Sequence, residues 1–185
     1  MLSDQDLVGQ VGRGDKNAFS LLVDRYLKDV IYFSLRYINQ RADAEDIAQE
    51  TFIRLWSKAP GWQDQGYTLK AWLFRVAYNL CIDELRKQKH LVNAETDEQA
   101  INSLGYSDDL VADQDNLTIQ ATMLNNLPER QRTALTLCAY QGLSNKEAAA
   151  VMNVSVDALE SLLSRGRRKL KKLFYQATET TGEAL

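Results

Sequence analysis

Proline, cysteine and histidine are all scarce in this 185-residue chain, which contains two prolines, two cysteines and one histidine. Few prolines leave long helices uninterrupted, because proline breaks helix interiors. Cys81 and Cys138 lie far apart in the sequence and belong to no CxxC motif. With only one histidine, this excludes a zinc site built from Cys and His and argues against a disulfide framework. We expect two buried thiols instead.

Long apolar runs and alternating strand patterns are also missing. No run approaches the ~18 apolar residues of a membrane span. The N-terminal residues include acids, where a signal peptide has a basic start and an apolar core. We therefore expect a cytoplasmic protein without membrane insertion. The hydrophobic content of 45% is that of a globular protein, and without a strand pattern the expected fold class is all-α.

The first 90 residues predict four helices, separated by the GRG sequence at 12–14 and by a loop with Pro and Gly at 59–67. Ser3 and Asp15 stand where helix N-caps are expected, and the first helix should end near Gly9. The third and fourth helices are expected to span about 43–58 and 69–89. The apolar stripe of the fourth helix is expected to consist of Leu69, Leu73, Val76 and Leu80.

Charge is distributed unevenly along the chain, whose net charge is −3. Residues 91–127 contain seven acidic residues and no Lys or Arg, whereas residues 128–175 contain nine basic and four acidic residues. Residues 91–113 also lose helical periodicity. We therefore expect two small helical domains, 1–90 and 114–175, joined by a largely flexible acidic linker at 91–113 and followed by a tail at 176–185.

The second domain carries the pattern of a helix-turn-helix. After a helix expected at about 114–126 and another from Pro128 to about Tyr140, Ser144 and Glu147 form a capping box for a short helix. Ser155 then caps a longer helix after a tight turn. Its inner stripe is expected to consist of Val156, Leu159, Leu163, Leu170 and Leu173.

The outward face of this last helix suits the major groove of DNA. Its outward residues are expected to be Asp157, Glu160, Ser161, Ser164, Arg165 and Arg168. Six of the eight residues from Arg165 to Lys172, including Lys169, are Lys or Arg, and such a run binds phosphates. The alternative is a plain helical hairpin whose charged end is only solvated.

Two further patterns lie in the first domain. Asp46, Gln49, Glu50 and Ile53 share one face of the third helix, which indicates either a docking surface or a solvated face. Aromatic residues alternate with basic residues from Trp62 to Lys89, a pattern that suits unstacked bases of single-stranded nucleic acid. Trp62, in the loop, is the best stacking candidate, whereas Trp72 and Phe74 are expected in the core. The basic residues include Arg75, Arg86 and Lys87.

Four segments resemble, in order and spacing, the extracytoplasmic-function sigma factors of bacterial RNA polymerase. They are GDKNAFSLLVDRY, DAEDIAQETFIRLW, WLFRVAYNLCIDELRK and the stretch from Leu127 to Lys172. The resemblance implies that the first domain melts and captures the −10 promoter element and that the second reads the −35 element. It implies that Trp62 lies in the loop that pockets a flipped base and that Asn79 contacts a base.

The resemblance also implies partners. The face with Asp46, Gln49, Glu50 and Ile53 would dock on the β′ clamp helices of the polymerase core, which would also contact the factor through its β flap. An anti-sigma factor would hold the protein silent. The free protein is expected to be a monomer without metal or other cofactor.

The residues expected to contact the −35 element are Ser155, Asp157, Glu160, Ser161, Ser164, Arg165, Arg168 and Lys169. In many relatives Arg residues lie near the start of the outward face of this helix. Here those places hold Glu160 and Leu162. We therefore do not transfer the −35 sequence of better-known relatives to this chain.

Two other functions compete with this interpretation. A stand-alone helix-turn-helix regulator would need a dimer interface or a ligand pocket, and nothing in 1–90 indicates one. An enzyme would need an active site, but the adjacent acids Asp83 and Glu84 point apart on a helix, and His90 is the one histidine. We therefore expect a binding protein with no catalysis of its own.

Overall fold

The chain forms two compact units, Met1–Ser107 and Asp108–Leu185. The computed structural model describes the backbone of residues 2–38, 40–63, 66–94, 124 and 126–182, and the side chains of 2–38, 40–63, 66–87, 124 and 126–176. All regular structure in these described residues is helical, which confirms the all-α prediction. Most of the acidic segment at 91–113 and of the helix expected at 114–126 lies outside the described residues.

Four helices build the first unit. They are α1 (Asp4–Val11), α2 (Lys16–Ser34), α3 (Arg41–Lys58) and α4 (Leu69–Ala94). The Ser3 hydroxyl accepts the Asp6 N–H at 3.2 Å and Asp6 accepts the Ser3 N–H in return, so the predicted cap is a capping box. Asp15 caps α2 by accepting the backbone N–H groups of Asn17 and Ala18, which confirms the second predicted cap.

The ends of α3 and α4 differ from the sequence-based bounds. Helix α3 begins before Asp43, whose carboxylate lies in the first turn and there complements the helix dipole without capping it. Helix α4 continues to Ala94, so the first residues assigned to the linker are helical. The loop after α3 opens with a short 3₁₀ turn, Ala59–Gly61.

Aromatic side chains fill the core of the first unit. Phe33 of α2 and Phe74 of α4 are fully buried, and their rings meet edge to face with centroids 5.0 Å apart. Phe19 meets the ring of Trp56 in the same way at 5.1 Å. Such pairs add stabilisation beyond the apolar area that they bury. The core therefore fixes α2 against both α3 and α4.

The apolar stripe predicted for α4 is only half right. Leu69 and Leu73 are buried, but Val76 and Leu80 are only partly buried. The inner line continues through Ala77 and Cys81, which are both fully buried. The physical reason is that α4 packs on both α2 and α3. The small side chains of Ala77 and Cys81 let these helices come close to α4, whereas the larger Val76 and Leu80 lie at the edges of the contact.

Gly12 lies where the end of α1 passes the 3₁₀ turn. A Cβ atom placed on Gly12 would lie 2.6 Å from the carbonyl oxygen of Ala59 and 3.1 Å from its carbonyl carbon. The same oxygen accepts the backbone N–H of Trp62 at 3.1 Å. The missing side chain at Gly12 thus lets α1 support the loop that carries Trp62.

Three helices and one irregular turn build the described part of the second unit. They are α5 (Glu129–Leu135), a π-helical turn (Thr136–Tyr140), α6 (Asn145–Met152) and α7 (Val156–Gly182). Pro128 occupies the N-cap position of α5, one residue before its predicted place. Gly142 has a φ of +67°, which favours glycine, and it lies just beyond the π-helical turn.

Helix α7 packs on α5 and α6 through a stripe that differs from the predicted one. Leu159 and Leu163 are buried as expected, but Val156 is 39% exposed, whereas Leu162 is only 9% exposed. The prediction for Val156 was wrong because the first turn of α7 lies beyond the helices that cover Leu159. The prediction that Leu162 lies on the outward face was also wrong, because the neighbouring helices cover this side of α7. Leu170 and Leu173 are only partly buried.

Gly166 lies where α7 packs tightly against α5. A Cβ atom there would lie 2.8 Å from Cδ1 of Leu135 and 3.5 Å from Cβ of Gln131. Gly166 itself is buried, although its neighbours Arg165 and Arg167 are exposed. This contact fixes which side of α7 faces the helix bundle and therefore which of its basic residues face outward. Helix α7 then continues through Gly182, so most of the segment assigned to a tail is helical.

Candidate nucleic-acid interface

One face of α4 carries an aromatic side chain followed by polar and charged side chains in a row. Trp72, Arg75, Asn79, Asp83 and Arg86 follow one another at steps of three and four residues, so they share one side of the helix. At 1.5 Å per residue, Arg75 and Arg86 are about 16 Å apart along the axis. Asn79, in the middle of this row, is exposed. The α4 face is long enough to follow several nucleotides of a strand.

Trp62 joins the α4 face at its N-terminal end. Its ring meets the ring of Trp72 edge to face, with centroids 5.4 Å apart and an interplanar angle of 74°. Both rings are only partly buried. Trp72 was expected in the core, but the structure places it beneath Trp62, while Phe74 is fully buried as expected. Trp62 is therefore a braced aromatic side chain with part of its surface open to a stacking partner.

The basic residues of α4 are held by weak contacts. Arg75 donates to the hydroxyl of Tyr67 at 3.4 Å. Arg86 lies 3.5 Å from Asp83, and Lys87 lies 3.3 Å from Glu84, in pairs within the helix. The side chains of Arg86 and Lys87 are 72% and 71% exposed, and such surface pairs contribute little. Both cations can therefore turn to a phosphate at small cost.

The α3 face has a mixed character. Asp46 and Gln49 are exposed, and Ile53 is 53% exposed. Glu50 accepts from Nε of Arg54 at 2.8 Å, so one of the acids is paired on its own helix. An exposed isoleucine beside acidic side chains is a feature of a contact surface with an apolar centre and a charged rim.

The second unit builds a helix-turn-helix from local signals. The Ser144 hydroxyl accepts the Glu147 N–H and Glu147 accepts the Ser144 N–H, which confirms the predicted capping box of α6. Asn153 ends α6 in the left-handed conformation at φ 52°, which asparagine tolerates. The Ser155 hydroxyl accepts the Ala158 N–H at 3.2 Å and so caps α7. Ser155 is thus part of the scaffold of this face.

The residues of α7 that were expected to face outward or to contact the −35 element are exposed, with the exception of Leu162. The exposed ones are Asp157, Glu160, Ser161, Ser164, Arg165, Arg168 and Lys169. Nε of Arg165 donates to the backbone oxygen of Ser161 at 3.1 Å, so this cation is turned along its own helix. The polar residues precede the basic ones, which separates a neutral-to-acidic first part of the face from a cationic second part.

One contact of this face could not be foreseen from spacing. Nδ2 of Asn145, at the start of α6, donates to Oε1 of Glu160 at 3.2 Å. From the sequence, Glu160 can be expected either to contact a base of the −35 element or to pair with Ser164 or Arg165 on its own helix. Neither included a partner on α6. The only signal in the sequence is that Asn145 opens the helix that precedes the turn.

Neither thiol is a predicted site residue, although the thiol of Cys138 lies 3.8 Å from Oδ1 of Asn145. Cys81 is buried, and burial raises the pKa of its thiol to about 12. Cys138 is partly buried, and burial raises its thiol pKa as well. No cluster of three or more His, Cys, Asp or Glu side chains suited to a metal ion occurs among the described residues. Nor does any helix in that part of the chain have the length and apolar character needed to cross a membrane.

Two family models match the chain, and they fall on the two units. Sigma-70 region 2 matches residues 22–91, which include α3, the loop with Trp62 and most of α4. Sigma-70 region 4 matches residues 121–170, which include α5, α6 and the first half of α7. The α3 and α4 faces therefore belong to region 2, and the outward face of α7 belongs to region 4.

Curated relatives match along almost the whole chain. The RNA polymerase sigma-H factor of Pseudomonas aeruginosa is 32% identical over 180 residues, which cover 91% of this chain and 92% of the relative. The ECF RNA polymerase sigma factor SigW of Bacillus subtilis is 32% identical over 176 residues, which cover 89% of this chain and 93% of the relative.

Solved structures agree with the sequence matches. The structure of CnrH in complex with the cytosolic domain of CnrY has a TM-score of 0.68 at 27% identity, and the match covers 94% of this chain and 97% of that one. The sigma factor RpoE of Bartonella quintana, solved with the anti-sigma factor NepR, has a TM-score of 0.66 at 26% identity. This match covers 85% of this chain and 96% of that one. The chain therefore belongs to the extracytoplasmic-function sigma factors of the sigma-70 family, which direct RNA polymerase to promoters.

Proposed function

We propose that this sigma factor uses three separate surfaces during initiation. The α3 face, with Asp46, Gln49, Glu50 and Ile53, docks on the β′ clamp helices of the polymerase core, while the second unit meets the β flap. Trp62, the α4 face with Arg75, Asn79 and Arg86, and the neighbouring Lys87 capture the melted −10 element. The outward face of α7 reads the −35 element. The protein binds the polymerase core and the promoter and positions one on the other, and the polymerase supplies the catalysis.

The observation that carries this proposal is the α6–turn–α7 arrangement. Both of its helices are capped by serine, the turn is fixed by a left-handed asparagine, and the outward face of the second helix is polar and then basic. The first turns of a recognition helix enter the major groove most deeply, and they carry Asp157, Glu160 and Ser161. The basic residues come later on the helix, where they meet phosphates.

The decisive experiment is transcription with purified components. Core polymerase, this protein and a genomic promoter library should give run-off transcripts from a small set of promoters, while core alone gives none of them. A stand-alone regulator would instead bind its DNA without the polymerase and would not start transcription with core alone. The proposal would be contradicted if adding this protein to core gave no promoter-specific transcripts beyond those that form without it.

Reversing charges on the α3 face should weaken binding to the polymerase core. The double variant Asp46→Lys, Glu50→Lys is expected to lower core affinity by about tenfold or more, since like charges brought together across an interface cost several kcal/mol. Loss of the Glu50–Arg54 pair should hardly change stability, because that pair is exposed. Fluorescence anisotropy of the labelled full chain with core measures the effect.

A matched control tests whether position matters or only net charge. Asp24 is an exposed acid on α2 of the same unit, and Asp24→Lys changes the net charge by the same amount as Asp46→Lys. The Asp24 variant should bind core as the unchanged protein does. Equal losses for the two single variants, or unchanged affinity in the double variant, would show that the α3 face is not the dock.

We also infer an anti-sigma partner for this chain. Two structural relatives with similar folds were solved in complexes, one with the cytosolic domain of CnrY and one with the anti-sigma factor NepR. A protein partner that covers the α3 face would block core binding at the same residues. Such a partner should compete with core for the full-length protein and should bind the double α3 variant less tightly.

A further inference from the structure

The side-chain amide of Asn145 is held at both of its ends. Its Nδ2 donates to Oε1 of Glu160 at 3.2 Å, which joins the first residue of α6 to the second turn of α7. Its Oδ1 faces the thiol of Cys138 at 3.8 Å. The amide therefore has one orientation, with the donor toward Glu160. Both Asn145 and Glu160 are exposed, so this bridge lies on the outer surface of the helix-turn-helix.

Asn145 is the one hydrogen-bond donor to the carboxylate of Glu160 among the described residues. Glu160 forms no ion pair within that part of the chain. Arg165, the nearest basic residue along the helix, donates instead to the backbone oxygen of Ser161. A neutral donor such as Asn145 orients the carboxylate without neutralising it, which a lysine or arginine would do. One carboxylate oxygen is thus held, and the other remains an acceptor.

We propose that Asn145 is a positioning residue for base reading and that it holds Glu160 ready to accept a hydrogen bond from a cytosine N4 amino group in the −35 element. Carboxylates read cytosine in this way in the major groove. A flexible glutamate would lose conformational freedom on binding, and a contact made before binding reduces that loss. This inference rests on the proposed function of α7, and it adds a specificity residue that lies outside α7.

The test compares promoters that differ at single −35 positions, with the full holoenzyme. Glu160→Gln should relax the preference at one base pair by about tenfold. Asn145→Asp should relax the preference at the same base pair by about three- to fivefold, the effect of one hydrogen bond, because a second carboxylate repels Glu160. An acid in the first turn of α6 favours the helix, so this variant retains the fold. Asn145→Ala provides an independent removal of the bridge.

The double variant Asn145→Ala, Glu160→Gln separates positioning from a general structural role. If Asn145 acts through Glu160, the double variant should discriminate no worse than Glu160→Gln alone. Lys146→Ala, at the neighbouring exposed position of α6, should change binding to all −35 sequences alike. A purely structural defect in an Asn145 variant would likewise weaken binding to all −35 sequences equally and would shift the thermal unfolding midpoint.

Several outcomes would overturn the inference. Unchanged −35 preferences in both Asn145 variants would do so. So would additive effects of Asn145→Ala and Glu160→Gln in the double variant, or relaxed preferences at different base pairs in the Asn145 and Glu160 variants. Unchanged preferences in Glu160→Gln would overturn the cytosine contact and leave the sigma function intact. Failure of the unchanged holoenzyme to select any promoter would instead contradict the proposed function itself.

Discussion

Trp62→Ala is expected to slow open-complex formation by about one to two orders of magnitude, because stacking of an aromatic side chain on a base contributes roughly 1–3 kcal/mol. The indole is braced by the edge of Trp72 at 5.4 Å, so it offers a preformed surface to a base that leaves the duplex. The backbone N–H of Trp62 donates a hydrogen bond to the carbonyl oxygen of Ala59, which holds the start of the loop in place. Stopped-flow fluorescence of a promoter with a base analogue at −10 measures the rate.

A template that is already melted separates the two contributions of Trp62. On a promoter with a mismatched −10 bubble the bases are already unstacked, so the defect should be partly rescued. An exposed aromatic residue of the same unit, Tyr32 on α2, provides the control, and Tyr32→Ala should open promoters normally. Equal defects of the Trp62 variant on duplex and bubble templates would remove melting from its role while leaving base reading.

Gly12→Ala is expected to destabilise the first unit by about 1–3 kcal/mol, the usual cost of forcing an extra group into a packed contact. The added carbon would lie 2.6 Å from the Ala59 oxygen, and backbone atoms cannot move aside as a flexible side chain can. Because that oxygen also binds the Trp62 N–H, we expect slower promoter opening even at temperatures where the unit stays folded. Urea unfolding and opening rates measure the two effects.

Gly9→Ala is the matched control, since it adds the same methyl group within α1, three residues before Gly12. A Cβ atom at Gly9 would meet nothing closer than the Arg13 guanidinium at 3.9 Å, and glycine inside a helix is less favourable than alanine by about 0.5–1 kcal/mol. This variant should therefore stabilise α1 slightly and leave opening rates unchanged. The same change in unfolding free energy and in opening rate for both variants, or no change in either, would show that the contact with Ala59 is not needed.

Features that depend on a few neighbouring residues could be predicted from the sequence. Ser3, Asp15, Ser144 and Ser155 cap helices as predicted, because a cap needs only a side-chain oxygen and the backbone two or three residues on. The resemblance to the family likewise came from local motifs in a fixed order, and the family models confirm it.

Features that depend on packing could not be predicted in the same way. Val156 is exposed and Leu162 is buried, because the neighbouring helices, and not the period of α7, decide which side of it is covered. Contacts between residues far apart in the chain, such as that of Asn145 with Glu160, leave no periodic signal. The promoter contacts assigned to Trp62 and Asn79 remain predictions.

The basic run of α7 lies in the interior of a helix, since α7 continues to Gly182. Arg165, Arg168, Lys169 and Lys172 are spaced three and four residues apart, and the chain has no acidic residue between Glu160 and Glu179 to offset them. Like charges at this spacing oppose helix formation by a few tenths of a kcal/mol for each pair. This middle part of α7 is therefore under electrostatic self-repulsion, which bound phosphates relieve. Added salt acts in opposite directions on this segment, since it strengthens the helix while it weakens the grip on DNA.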